Sequence, residues 1–518
     1  MAIDPFIPGS SSGRRNGAMF VQMRAQLDDL QRQLATGKKA DSFASLGIER
    51  RVSLDTRAKL GTIEGWNKAI EQGDTRIRFM MQSIEGFAKN TLDGKGDARP
   101  GAFVVGANGQ IASQVLAQDR LAQSIDMLNV EVGGRYLFSG RTQDVKPVER
   151  MDVILNGDGA GLAGVRTLIS ERQQADAGVA NMGRLATSLA GAVVGVGREA
   201  ANPPYGFTIR GASSQTGAIT ANYVAAIPGT PASASFTVGA NPAAGDKITL
   251  TLDLPDGTTT AIELEARQPN VGGPPETGFV IGATPAATAA NLQASVNAAI
   301  QNRAATAMNG ASALIAARDF FAGSVGNPPV RVPGPGFTTA VGAPAAPAVN
   351  NTVIWYKGDD DPGLLARNTA PLQVDSGQVV ATGSRANEQA FREGLAAFTV
   401  LALTDFTTNA NPASVGYNPS PRDRYEAVAD RVRGALSFGA SQKPQDIAME
   451  ISMSQVSMSA AKDRHKFSAN FFESARAGAE DASTEEVASS LLTLQTRLQA
   501  TYQTTSILSR LSLVNYIS

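Results

Sequence analysis

The chain has 518 residues, more than one ordinary domain holds, with 42% apolar and 18% charged residues. Forty-six basic residues against 47 acidic ones leave a net charge of -1, so no global basic field recruits nucleic acid or an anionic membrane. With no cysteine and a single histidine, His465, disulfides, thiolate catalysis, cysteine-bound zinc and most catalytic triads are excluded.

The start, "MAIDPFIPGSSSGRRNGAMF", has no apolar core segment, so no cleaved secretory signal is expected. No apolar run reaches the ~18 residues of a membrane span; "GLAAFTVLAL" at 394–403 is the longest. Proline divides the chain: three of its 26 prolines lie in 1–140, two in 421–518 and 21 between. Long helices are therefore expected at the ends and not in the middle.

In chain order, Met19, Met23, Leu27, Leu30 and Leu34 recur at helical spacing, and "TGKKADS" with Gly37 ends that helix. A second helix carries Ile63, Ile70, Ile77 and Ile84 in a seven-residue register, with Trp66, Gly73, Met80 and Phe87 as the companion row. "DGKGDARPG" at 93–101 reads as a turn, and a third helix runs from Ile111 to Val132, stopping at Gly133-Gly134.

The middle changes in kind. "GDKITLTLDLPDGTTTAIELEA" at 245–266 alternates about Asp256-Gly257, a hairpin signal, and "FVIGATPAATAANLQASVNAAI" predicts a strand and then a helix opening at Thr284-Pro285. Helices follow near 384–403 and 421–437. Next, Ile447, Ile451, Met458 and Phe472 share a stripe, and Ser483 with Glu486 forms a capping-box signature. The last helix carries Val487, Leu491, Leu494, Leu498 and Tyr502, and from Thr501 onward the only charged side chain is Arg510.

The expected fold class is α+β: a long helical coiled-coil arm formed by both chain ends, with a β-rich inserted outer domain. Its parts are terminal helices 1–40 with 484–518, a helical bundle 41–140 with 381–483, and the insertion 141–380. Ile63, Ile70, Ile77, Ile84, Ile451 and Met458 are the expected bundle core.

Catalytic patterns are sparse. Gly159-x-Gly161-x-x-Gly164 follows the strand-like "DVIL" as a dinucleotide loop would, yet no second strand ending in an acidic residue follows. "GSSSG" at 9–13 lacks the strand of a nucleophile elbow, and Ser459-x-x-Lys462 lies on a helix face. "GDDDPG" at 358–363 reads as a solvated turn, with a weak divalent site as its alternative. His465 is expected to edge a helix interface, and Arg50, Arg51, Arg57 and Lys59 to form a charged helix face. No constellation predicts an enzyme, and no cofactor or metal is expected.

"DASTEEVASSLLTLQTRLQATYQTTSILSRLSLVNYI" resembles the C-terminus of bacterial flagellins and hook-filament junction proteins, and "LDDLQRQLATGKKADSFASLGIERRVSL" the matching N-terminal segment. "GGRYLFSGRTQDVKPV" at 133–148 and "IWYKGDDDPGLLARNTAPLQVDSGQVV" at 354–380 resemble the junction proteins more closely. The resemblance covers roughly half of the chain. It implies an extracellular, non-enzymatic structural subunit of the flagellum, exported by the flagellar type III route, that joins hook to filament. Flagellin is the alternative, and a nucleotide-binding enzyme using the Gly159–Gly164 loop the alternative of another class. The implied partners are copies of itself, hook-associated proteins, flagellin and an export chaperone, without nucleic acid or membrane. The implied assembly interface is Met23, Leu27, Leu30, Leu34, Leu491, Leu494, Leu498, Tyr502, Leu508 and Leu511.

Overall fold

The computed structural model of the protein describes residues 9–106, 109–200, 202–346 and 351–517; the side chains of 9–14, 16 and 508–517 are outside that description. About 52% of the residues are helical and 16% lie in strands, a mixed composition consistent with the α+β class. Among the described residues, the helices are α1 (Gly9–Thr36), α2 (Arg50–Asp97), α3 (Ala112–Leu128), α4 (Met151–Asn156), α5 (Val165–Ala177), α6 (Pro285–Arg303), α7 (Asn309–Ala322), α8 (Gln389–Leu403), α9 (Pro421–Ala435), α10 (Pro444–Glu480) and α11 (Thr484–Ile517). The strands are β1 (Leu185–Ala190), β2 (Val193–Arg198), β3 (Thr208–Ser214), β4 (Ile219–Val224), β5 (Ser233–Val238), β6 (Lys247–Asp253), β7 (Thr259–Arg267), β8 (Gly278–Val280), β9 (Pro371–Asp375) and β10 (Gln378–Ala381). The chain forms two compact units, one of Met1–Gln72, Gln373–Val380 and Val456–Ser518, the other of Gly73–Leu372 and Ala381–Gln455.

In the first unit, α1 pairs with α11, and the opening turns of α2 run antiparallel to the closing turns of α10. Ile63 and Ile70 on α2 and Met458 and Ala461 on α10 are buried. His465 is buried there too: its Nδ1 lies 2.9 Å from Asn67 Oδ1 and its ring stacks on Trp66 at 5.4 Å. Its Nε2 sits 3.8 Å from Asp375 on the β9–β10 hairpin. Lys462 stays exposed and reaches Glu71 at 3.2 Å.

The second unit holds a helical cluster and two four-stranded sheets, ordered β1-β2-β5-β4 and β3-β6-β7-β8. β6 and β7 pair antiparallel, as the alternation predicts, and Gly257 supplies the left-handed residue of the turn at φ 79°. Asp256 does not face water: Arg431 of α9 donates to its Oδ2 at 2.8 Å. Both sheets share one core with α6, including Phe207, Phe236, Leu250, Leu252, Ile262 and Leu292. Thr284 caps α6 by accepting from Ala287 N at 3.2 Å, with Pro285 at the first helical position.

α8 is the centre of the helical cluster and packs on α3, α7 and α9. It is apolar on nearly every face, which is why "GLAAFTVLAL" is buried from Gly394 to Ala402. Ile77, Ile84, Phe87 and Ile451 are buried in the same unit. Contact between α2 and α8 relies on two reciprocal gaps. A Cβ on Gly94 would lie 2.3 Å from Phe398 Cε1, and one on Gly394 would lie 2.7 Å from Phe87 Cζ.

The structure corrects several expectations. "DGKGD" at 93–97 is not a turn but the last turn of α2, because Gly94 is kept for Phe398 rather than for chain reversal. The third helix ends at Leu128, four residues short of Val132, where Asn129 leaves helical geometry. The middle does hold a long helix: α6, the five-residue π segment Ala304–Met308 and α7 are contiguous, and no proline intervenes between Pro285 and Pro328. "GDDDPG" is not a solvated turn. Burial pushes the Asp359 carboxyl up, but Arg141 and Arg385, each donating at 2.8 Å, outweigh it and hold it at about 2. Among the described residues no cluster of three or more His, Asp or Glu side chains suits a metal ion.

Overpacking a filled contact costs about 1–3 kcal/mol. Gly394→Ala is therefore expected to lower the urea midpoint, and adding Phe87→Leu is expected to recover part of the loss. Equilibrium unfolding of the two variants checks this.

Candidate assembly interface

α1 and α11 lie far apart in sequence and bring matching stripes together. α11 runs antiparallel to α1, so that Phe20 meets Tyr502 with ring centroids 5.1 Å apart near one end. Met23 and Leu494 are each 8% exposed, Val487 is buried, and Leu27, Leu30, Leu491 and Leu498 are half-buried. Leu34 and Tyr502 stay largely exposed. The side chains of Leu508 and Leu511 fall outside the described residues.

The pair is closed where α1 ends. Gly37 adopts φ 67°, which lets the chain leave the helix and form an antiparallel bridge between Lys38 and Asp481. Lys39 N donates to Glu480 O at 2.8 Å and Ala482 N to Gly37 O at 2.9 Å, while the Lys38 ammonium pairs with the Asp481 carboxylate. Ser483 caps α11 through its Oγ, which accepts from Glu486 N at 3.3 Å, the half of the predicted capping box that forms.

Glu480 anchors this closure. It is the last residue of α10, where a carboxylate opposes the helix dipole, so it requires strong donors. Arg57 supplies two hydrogen bonds at 2.7 Å and Ser53 a third at 2.7 Å. The Arg57 hydrogen bonds are the main cause that lowers the Glu480 carboxyl to about 2 from 4.5. Lys39 Nζ adds bonds to Glu49 at 3.0 Å and to Gly478 O at 2.5 Å. The sequence pattern places Arg57 on a charged helix face and sets no mark at Glu480. The usable signal was an acidic side chain at a helix C-terminus, which calls for a cation from elsewhere.

Two antiparallel helices cover only one side of each other. Val21 is 71% exposed, Ile48 97%, Phe467 77% and Phe471 69%, with Met19, Leu492 and Ile507 also open. Val456, Phe467 and Phe471 recur at helical spacing on the face of α10 opposite its buried Met458, Ala461 and His465 stripe. The unit thus has an inner apolar face that is buried and an outer apolar face that is not.

The Gly159 loop takes a different form from a phosphate cradle. "DVIL" lies in helix α4, not in a strand. Asp158 Oδ1 accepts from Ala160 N at 2.9 Å and Leu162 N at 2.8 Å, so the chain's own carboxylate occupies the amides that a phosphate would need. Gly164 is required for packing: a Cβ there would lie 2.5 Å from Gly157 N. Among the described residues no helix is long and apolar enough to cross a membrane. Comparison with protein families, with curated proteins and with solved structures finds no match to the chain.

The Glu480 carboxyl is lowered in the folded state, so its contribution is complete above pH 4.5 and is lost as pH falls toward about 2. Because Arg57 is half exposed, screening reduces the contribution to about 1 kcal/mol. Glu480→Gln is expected to lower Tm at pH 7, and the gap from wild type is expected to close between pH 4.5 and 2. Calorimetry of both proteins across that range checks it; a gap independent of pH contradicts it.

Proposed function

We propose that the protein is a non-enzymatic structural subunit of the bacterial flagellum, an adaptor that joins hook to filament by head-to-tail assembly through its terminal helices. The resemblance of both terminal segments to flagellins and hook-filament junction proteins supports this reading. The observation that carries it is the uncovered outer face of α1, α10 and α11, typified by Val21, Phe467 and Phe471. Each such side chain gains about 1.5–3 kcal/mol when buried, so several together favour coverage by neighbouring chains. One patch meeting a different patch on the next copy gives a heterologous contact, which propagates as a helix instead of closing as a dimer.

In this reading α1 with α11 is a coiled-coil inner arm, and residues 141–380 form an outer domain. The partners are further copies, hook-associated proteins, flagellin and an export chaperone, and the location is extracellular after type III export. Flagellin is the second reading, favoured by the same terminal segments. Imaging a fluorescently labelled chain in cells separates the two: one spot at each filament base marks an adaptor, and label along the filament marks flagellin. A nucleotide-dependent enzyme is disfavoured by the Asp158 carboxylate folded over its own loop.

Replacing Leu494 and Leu498 by Asp places two carboxylates in the α1–α11 contact, at several kcal/mol for each unpaired charge that stays buried. The double variant is expected to be secreted but not incorporated, leaving cells without stable filaments, while the core shared by β6, β7 and α6 stays folded. Motile cells with normal filaments would overturn the reading.

A further inference from the structure

The second unit contains a cavity of about 270 Å³ that the assembly reading does not use. One wall is a single face of α5, on which Arg166, Ile169, Gln173 and Ala177 recur at helical spacing. The floor is the π segment, through Ala304, Ala305 and Met308. Such segments are rare, and they occur disproportionately where a protein binds something.

The rim is held in an uncommon backbone state. Asn181 adopts φ 52°, and its side-chain amide donates to Pro412 O at 2.8 Å and Ser414 O at 2.9 Å. That clamp fixes the loop whose Val415, Gly416 and Tyr417 line the cavity. Strained non-glycine residues of this sort persist where a neighbouring structure requires them, ligand clamps included.

The chemistry of the walls narrows the ligand. Arg424 also lines the cavity, but its guanidinium is committed to three carbonyls: Ala305 at 2.7 Å, Asp405 at 3.0 Å and Tyr417 at 2.5 Å. Arg166 donates to Asn156 at 3.1 Å, outside the cavity lining. An anion therefore finds no uncommitted pair of cations, and among the described residues no acidic cluster awaits a metal ion. Gln173 gives its amide hydrogens to Asn309 O and Oδ1, which leaves Gln173 Oε1 and Asn309 Nδ2 uncommitted among the described residues, and Tyr417 also lines the cavity. These groups, with the Asp405 carboxylate, whose Oδ1 accepts from Thr407 N at 2.8 Å, stand around the apolar floor of Ala305 and Met308.

We propose that this cavity is a binding site for a small neutral polyhydroxylated molecule of monosaccharide size, its hydroxyls on Gln173, Asn309 and Tyr417 and its apolar face on the π segment. The site stands on geometry separate from the terminal helices, so it does not depend on the flagellar reading.

The test uses the full chain with glucose, galactose and N-acetylglucosamine as separate probes in saturation-transfer NMR. Saturation transfer from at least one of them is expected, with Kd on the order of 1–10 mM for a ligand of this size. Gln173→Leu keeps the side-chain volume and removes the acceptor, and is expected to weaken binding about tenfold. Asn181→Gly tolerates the left-handed backbone but releases the loop, and is expected to weaken binding as well, with an unchanged circular dichroism spectrum. No transfer from any of the three sugars at about 50 mM, affinity untouched by both variants, or displacement of the sugar by inorganic phosphate would each overturn the proposal.

Discussion

Glu480 carries an obligation that its own helix cannot meet. A carboxylate at the C-terminus of α10 faces the negative end of the dipole, and Arg57 and Ser53 on α2 supply the donors that offset it. Because those donors sit at the start of α2, the end of α10 is fixed opposite it. The bridge of Lys38 with Asp481 follows from that alignment, and so does the antiparallel register of α11 on α1. The apolar stripes then supply most of the stabilisation, while the charged closure selects which of the possible registers they adopt.

The second unit is organised by shape more than by charge. Gly94 admits Phe398 and Gly394 admits Phe87, so α2 and α8 approach at two points where a methyl group would intrude. α8 can be apolar on nearly every face because α3, α7 and α9 pack on it. Polar contacts finish the packing where loops meet helices, as when Arg431 takes the Asp256 carboxylate and Tyr425 Oη donates to Arg99 O at 3.1 Å.

Periodicity made the long elements legible. The Ile63, Ile70, Ile77 and Ile84 row is buried, the alternation about Asp256-Gly257 is the β6–β7 hairpin, and Thr284-Pro285 opens α6. Local pattern failed where a distant partner decides. Gly94 looks like a turn residue until Phe398 is set against it, and "DVIL" is a short apolar run that strand and helix share, which folds here as one short helix. The stripe from Met23 to Leu498 was readable as apolar, but the closure at Glu480 joins residues 423 apart to Arg57 and was not. The clamp at Asn181 has no sequence signature beyond an asparagine near glycines.

Sequence separation has a further consequence during synthesis. Lys38 and its partner Asp481 are 443 residues apart. A ribosome adding 5–20 residues per second leaves the first waiting roughly 20–90 s for the second. Throughout that interval α1 has no complementary stripe to cover its own, and closing so large a loop carries an entropic cost that grows only slowly with length. The second unit, by contrast, has all of its chain available once residue 455 has emerged. The nascent protein therefore spends most of its synthesis with the apolar stripe of α1 uncovered, and whatever protects that stripe in the cell must act before translation ends.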